Sequence, residues 1–351
     1  MQKKIIALAI AAALTAPAMA FAEATVYGQV NLAVEMVNDG RTASTTTNQL
    51  NSYGSRFGLQ GSEALDGGMS FVWQLEGGVN VDDGTMTGGQ VFDRESHIGL
   101  TSASMGTVTA GLQASPYKAM SRRLDLFGDS VADTRNGLGA ARILGGGHDI
   151  SPQNAISYMT PSMGGFTVVA ATVFGAEAAQ VNAGVADKKG SALGLAAMYD
   201  QGPIFAMLAI DNAKRGTPGS GQLGVGGAVD STDDAFKVGG SYTMDAITVN
   251  AVYENIKTTT PAVEAKNTNL YLGAKFSLSS TDAVKLAYTK LGETKFSPGA
   301  SATDGITQVA LGYDHGMSKN TSVYALYTKV TQSATNAADP SVISLGIKHA
   351  F

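Results

Sequence analysis

The sequence predicts an all-β fold, a sixteen-stranded antiparallel transmembrane β-barrel, and three observations predict it. Apolar and polar residues alternate at period two in one segment after another. After residue 22 no stretch approaches the roughly 18 continuous apolar residues of a membrane-crossing helix. Aromatic residues recur at one end of the even-numbered segments.

The first element is not part of that barrel. Residues 1–22, MQKKIIALAIAAALTAPAMAFA, carry two lysines, an apolar run from Ile5 to Leu14 and small residues at Ala18, Ala20 and Ala22. This order is that of a secretory signal, with cleavage expected after Ala22 and Ala20 the close competitor. Residues 23–351 are then the barrel domain. They hold 22 basic against 29 acidic side chains, a formal charge of −7 that makes nucleic acid a poor partner. There is no cysteine, so burial and backbone pairing must hold the fold. Thiolate metal sites and cysteine nucleophiles are excluded with it.

The first segment, ATVYGQVNLAVEM, sets Val26, Gly28, Val30, Leu32, Val34 and Met36 on one face and Tyr27, Gln29, Asn31, Ala33 and Glu35 on the other. MSFVWQLE repeats the pattern, with Met69, Phe71, Trp73 and Leu75 opposite Ser70, Val72, Gln74 and Glu76. FKVGGSY, ITVNAVYEN, NLYLGAKF, AVKLAYTK and ITQVALGYD continue it. Sixteen such segments run from Ala24 to Phe351, with no helix predicted. Their connections alternate in length. Short ones fall at 62–68, 102–106, 161–165, 200–203, 243–246, 277–282 and 315–320; long ones fall at 37–51, 79–91, 114–152, 175–190, 211–234, 257–268, 292–305 and 331–340. Such interleaving describes a meander with two unlike rims. Pro116, Pro152, Pro161, Pro203, Pro218, Pro261, Pro298 and Pro340 lie in or at the edge of these connections, as the missing ladder donor requires.

A soluble sandwich could also alternate. The aromatics argue against it: Tyr158, Tyr199, Tyr242, Phe276 and Tyr313 end the sixth to fourteenth even segments, and Phe351 ends the sixteenth. Six rings at one rim match an interfacial girdle, and Phe351 would close the last strand on the first. The second and fourth segments, RFGLQGSE and RESHIGLTS, lack that aromatic. A protein-covered outer surface there would explain the lack, and it would point Glu95 and His97 outward, to or near a trimer interface, if Arg94 points inward.

The chain resembles the general trimeric porins of Gram-negative outer membranes, on VYGQVNLAVE, SRFGLQGSEALDGGMSFVWQLEGGV (55–79), FDRESHIGLTSASMGTVTAGLQASPY (92–117), NAISYMTPSMGGF, GYDHGMSKNTSVYALY and the terminal GIKHAF. The resemblance implies a homotrimer in the outer-membrane lipid, passing small hydrophilic solutes and ions by diffusion. It also implies that the barrel-assembly machinery reads Phe351, and that the long third loop, here 114–152, folds inside to make a constriction. Wall arginines would be Arg56 and Arg94, with Arg142 or Arg135 at the loop's return. Asp125, Asp129 and Asp133, around DLFGDS, would face them. Six of the eight arginines lie between Arg56 and Arg142, Arg122 and Arg123 among them; solvated surface charge is the bland alternative, preferred against for Arg56 and Arg94 only.

Other motifs carry less. GSGQLG at 219–224 follows no strand and opens no helix, so a dinucleotide site is not expected. His97, His148, His315 and His349 have no metal-ligand spacing, and VDDGT at 81–85 reads as a solvated acidic loop. No cofactor is implied. The favoured function is passive diffusion, with a weak lean towards anions from the count of loop and wall charges. A barrel adhesin or surface receptor is the alternative, disfavoured by loops of Gly, Ala, Thr and Asp; a hydrolase lacks a catalytic set.

Overall fold

The computed structural model describes residues 23–41, 43–135, 147–174, 190–214, 231–298, 305–333 and 337–351. The signal segment 1–22, Arg142 and the GSGQLG stretch lie outside them. Sixteen strands follow one another around a closed barrel. They are β1 (Glu23–Asn38), β2 (Thr46–Ser52 continued by Arg56–Ala64), β3 (Met69–Asn80), β4 (Ser96–Ser102), β5 (Gly106–Leu112), β6 (Ala155–Met159), β7 (Phe166–Val173) and β8 (Ser191–Gln201). The second half is β9 (Ile204–Lys214), β10 (Thr232–Met244), β11 (Ile247–Thr259), β12 (Glu264–Ser277), β13 (Asp282–Leu291), β14 (Ile306–Gly316), β15 (Thr321–Gln332) and β16 (Ser341–Ala350). Neighbours pair antiparallel throughout, and β16 closes on β1 from Gln29↔Ala350 to Asn38↔Ser341. Phe351 extends that closure. Its N–H and C=O exchange hydrogen bonds with Gly28 at 3.1 and 3.0 Å, and its ring lies over Gly28, where a Cβ would meet Cζ at 2.6 Å.

Period two sorts the side chains inside out. On β1, Val26 and Val34 are 63% and 57% exposed on the outer face, whereas Asn31 and Glu35 are 1% exposed on the inner one. An apolar outside and a polar inside suit a barrel in lipid, where closure leaves no strand edge unpaired. The rim aromatics Tyr158, Tyr242, Phe276, Tyr313 and Phe351 are exposed on that outer face, and Tyr199 stacks at 4.7 Å on Phe166. Two-residue turns close β8 to β9 and β10 to β11, with Gly202 and Asp245 in the left-handed region at φ 61° and 49°.

Three boundaries differ from expectation. Residues 37–51 were expected as a connection, but Thr46–Ser52 is strand, pairing with β1 from Leu32↔Ser52 to Asn38↔Thr46. Strand structure likewise persists to Lys214, resumes at Thr232, and leaves only residues 260–263 between β11 and β12. These extensions are rich in Thr, Asn, Gln and charge and rise past the apolar band, so their alternation carries no hydropathy signal. The third difference is a helix, α1 (Pro116–Ser121), where none was predicted; Pro116 starts it and the Ser115 hydroxyl accepts the Lys118 N–H at 3.1 Å.

Candidate functional site

The longest connection, between β5 and β6, turns inward and makes the main apolar core of the molecule against the inner wall. Tyr117, Leu124, Phe127, Val131 and Ala132 of the loop pack there on wall residues such as Phe205, Ala235, Tyr271 and Ala310. The wall receives them on small residues. A Cβ at Gly239 of β10 would meet Leu124 Cδ1 at 2.7 Å, one at Gly273 of β12 would meet Leu126 Cδ1 at 3.1 Å, and one at Gly312 of β14 would meet Phe127 Cε1 at 2.7 Å. Polar anchors follow the same track. The Tyr117 hydroxyl donates to Glu254 at 2.7 Å, Asn250 donates to the Leu124 carbonyl at 2.8 Å, the Leu126 N–H donates to the Tyr271 hydroxyl at 2.9 Å, and Lys285 donates to the Leu126 carbonyl at 2.9 Å. The loop therefore crosses from β8 and β9, along β10 to β14, to the closing seam.

At the seam a bulge prepares the wall. Residues 53–55 interrupt β2, and Ser55 bonds both the N–H and the C=O of Asn31 in place of a ladder pair, at 2.9 and 3.1 Å. Gly54 sits at φ 61°, where a Cβ would strike the Asp129 carboxyl at 2.6 Å. Arg56 then opens the lower half of β2 opposite Gln29, on the inner face. Its guanidinium donates to the Gly54 carbonyl at 2.8 Å and to Asp129 at 3.2 Å. Gln29 also donates to the Asp129 carboxylate at 3.2 Å, and Asn31 donates to its carbonyl at 2.6 Å. The tip of the loop is thus tied to β1 and β2 through one aspartate.

The charges interleave instead of facing each other in two rows. Asp129 is shared by Arg56 of the wall and Arg122 of the loop, the latter at 3.0 Å. Asp133 binds Arg122 at 3.0 Å and Arg135 at 2.9 Å. Arg94 does not reach the loop acids; its partner is Glu76 of β3, at 2.5 Å, which also lies 3.7 Å from Arg56. Arg123 leaves the cluster altogether, bridging Asp200 at 2.6 Å and stacking 4.3 Å over Phe205. Asp125 turns back into its own loop, accepting from Phe127 N–H at 2.9 Å and from the Thr134 N–H and hydroxyl at 3.0 Å.

The loop carboxyls titrate accordingly. Burial, reinforced by the charge of Asp133, pushes Asp125 up to about 6. Burial also opposes the charged forms of Asp129 and Asp133. For Asp129 the charges of Arg56 and Arg122 outweigh it, and for Asp133 the hydrogen bonds and charge of Arg135 do, so both stay below the ordinary carboxylate value. Arg135 is held protonated by the same contact, against its own burial.

Two sequence expectations fail here. Glu95 and His97 were expected to point outward. The structure turns both inward: Glu95 accepts the Ala114 N–H at 3.0 Å, and His97 stands opposite Gln74, which donates to the inward Tyr27 hydroxyl at 2.7 Å. The phase of β4 begins at Ser96, so alternation counted from Arg94, which precedes the strand, is off by one. Glu76 was placed on the wet face but not in the site; its signal was an inward carboxylate on the strand between Arg56 and Arg94. Among the described residues no group of three or more His, Cys, Asp or Glu could hold a metal ion. His148 instead bridges Asp211 at 2.6 Å, and no helix among the described residues is long and apolar enough to cross a membrane.

Residues 7–335 match the family of Gram-negative porins. Outer membrane porin protein 32 of Delftia acidovorans is 31% identical over 330 residues, covering 92% of this chain and 88% of that protein. An outer membrane porin protein of Bordetella pertussis is 25% identical over the full length of both chains. Among solved structures, the anion-selective porin from Comamonas acidovorans superposes with a TM-score of 0.76 at 25% identity, covering 94% of this chain and 100% of that one. The trimer form of OmpT of Vibrio cholerae shares the fold, with a TM-score of 0.68 at 16% identity over 93% and 99% of the two chains. Sequence likeness along almost the whole chain joins a closed sixteen-strand barrel with a polar interior, and on both grounds the chain belongs to the Gram-negative porin family.

Proposed function

We propose that this outer-membrane channel passes small hydrophilic solutes and ions by passive diffusion, and that the inward loop narrows it and gives it a weak preference for anions. The observation that carries the reading is the loop tip held across the lumen by Asp129, with Arg56 on one side and Arg122 on the other. Around it Arg94 and Arg135 supply positive charge and Asp125 and Asp133 shape the loop, while Arg123 pairs with Asp200 away from the tip; Arg142 belongs to the same candidate set by its place in the sequence. Opposite charges close together in a narrow passage orient dipolar solutes and bias ions, whereas charge elsewhere is screened within about 8 to 10 Å at physiological salt. The relative described as anion-selective supports the sign.

In this reading the protein is exported by residues 1–22, cleaved after Ala22 or Ala20, folded with Phe351 as the signal recognised by the assembly machinery, and seated in outer-membrane lipid as a homotrimer. The trimer form known for a protein of the same fold supports the last point. Planar-bilayer recording of the purified protein in a salt gradient tests the function. Stepwise channels with a reversal potential displaced modestly towards that of the anion are expected. Absence of channels from heat-modifiable, folded protein would sink the diffusion reading, and a cation-side potential would sink the selectivity.

A further inference from the structure

The five described arginines of the constriction are all paired. Arg56 and Arg122 share Asp129, Arg122 and Arg135 share Asp133, Arg94 holds Glu76 and Arg123 holds Asp200. The inward lysines Lys237 and Lys285 are paired as well, to Glu254 at 3.3 Å and Asp314 at 2.7 Å. A cation with a carboxylate at about 3 Å presents a dipole, whose field fades faster with distance than that of a single charge. At the tip three arginines share two aspartates, which leaves one positive charge spread over the cluster, and a cation with no such partner adds an undivided charge beside it.

Lys348 meets that description. It stands on β16 directly opposite Asn31 of β1 and Ser322 of β15, two and four residues from the inward Gly346 and Ser344, and so on the inner face. Asn31 is the residue that holds the Asp129 carbonyl, which puts Lys348 beside the loop tip. Its side chain is half-buried, and among the described residues no carboxylate oxygen lies within 4.0 Å of its ammonium. Besides its partial burial, Lys348 feels the charges of Asp129 and Arg56 at the tip and of Lys285 and Asp314 on the neighbouring wall. Lys118 and Lys275 are also inward and without a salt bridge, but Lys118 is tied at 2.8 Å to Ser151 behind the loop, and Lys275, on β12 opposite Lys285 of β13, stands four strands away from Lys348 of β16. Neither flanks Asp129.

We propose that Lys348 is the selectivity-determining cation of this channel, the group on which a passing small anion such as chloride or inorganic phosphate exchanges water for an ammonium. The proposal rests on the diffusion reading above and adds the residue that sets its sign. The paired arginines then hold the loop in place, with their charge divided over the aspartates they share.

The chain has no cysteine, which supplies a clean test. Lys348→Cys is recorded in a planar bilayer under a potassium chloride gradient, and the same channels are then exposed to a cationic trimethylammonium thiosulfonate or to an anionic sulfonate thiosulfonate. Lys348→Gln and Arg56→Gln are recorded beside it. One unit charge acting through about 6 Å of water changes the local anion concentration roughly threefold. The anion-to-cation permeability ratio should therefore fall about two- to threefold or more in Lys348→Gln and Lys348→Cys, return with the cationic adduct and invert with the anionic one. Open channels whose reversal potential ignores the sign of the adduct, or an Arg56→Gln shift larger than that of Lys348→Gln, would overturn the assignment. A wild-type channel without anion preference would instead defeat the selectivity reading itself.

Discussion

Replacing Asp129 by Asn removes the tip's charge while keeping its backbone, because Asn is among the few residues that accept the left-handed conformation found there, φ 57°. The carboxylate receives Arg122 on one oxygen at 3.0 Å, and Arg56 and Gln29 on the other at 3.2 Å each. An amide has one acceptor oxygen, so one of these two sides must meet an NH2 group, donor against donor. A hydrogen bond to a charged group contributes about 1.5 to 3 kcal/mol, and both arginines keep some access to water, so about 2 kcal/mol of tip seating is lost. That is roughly a thirtyfold shift towards the released tip, since about 1.4 kcal/mol is tenfold. The trunk of the loop keeps its seats at Asn250, Tyr271 and Lys285. Asp129→Asn should therefore give normal yields of heat-modifiable protein, single channels with more open-state current noise, and a reversal potential moved further towards the anion by one lost negative charge. Noise and reversal potential indistinguishable from wild type would show that Asp129 does not hold the tip.

Gly312→Val should press on Phe127, whose Cε1 lies 2.7 Å from the position of the new Cβ, and overpacking of about 1 to 3 kcal/mol should move the loop into the passage; unitary conductance should drop and return when Phe127→Ala is added, and failure of that rescue counts against the seat. Loop seating should be strongest at about pH 4, where the two opposing contributions cross. Asp129 and Asp133 are lowered in the folded loop, so their contribution is complete above the ordinary carboxylate value of 3.8 and fades as pH falls below it, whereas Asp125 is raised to about 6, so its ionisation weakens the turn as pH rises from about 4 through 6. Current noise recorded from pH 3 to 8 should pass through a minimum, and Asp125→Asn should flatten the alkaline limb; an unchanged limb would contradict the raised carboxyl. Deleting Phe351, or Phe351→Asp, exposes the edge at Gly28 and should leave unfolded chain outside the outer membrane; normal outer-membrane yield of the deletion would refute it.

Strand number, the two unlike rims and the inward or outward sense of β1 were legible because a barrel wall in lipid writes one hydropathy period along its whole length. Val34 and Glu35 show why: neighbours in sequence, one meets lipid and the other the sealed interior. Legibility fails where the wall leaves the bilayer, as at Thr46–Ser52, and where phase must be carried across a strand start, as from Arg94 to Glu95. For the site, residue types and region were legible but not pairings. Arg56 finds Asp129 across 73 residues of sequence, and Arg94 finds Glu76 instead of any loop acid. Nothing local in DLFGDS separates Asp125, which closes its own turn, from Asp129, which reaches the wall.

A second pattern in the sequence does mark where the loop lies. Inner faces of barrel strands above a watery channel carry polar side chains, as β1 does with Gln29 and Asn31. From β9 to β14 the inner positions Ala209, Ala235, Gly239, Gly273, Ala287, Ala310 and Gly312 are small instead, and the alanines among them are almost fully buried. A polar group there would lose water to Leu124, Leu126 or Phe127 without gaining a partner, and a large apolar one would hold the loop away from the wall. Small residues satisfy both constraints, so they trace the loop's path on the wet face of β9, β10, β12, β13 and β14, while β11 meets it with Asn250 and Val252. The lane ends where Lys285, Asp314 and Lys348 begin, and the apolar backing of the loop gives way there to charge open to the passage.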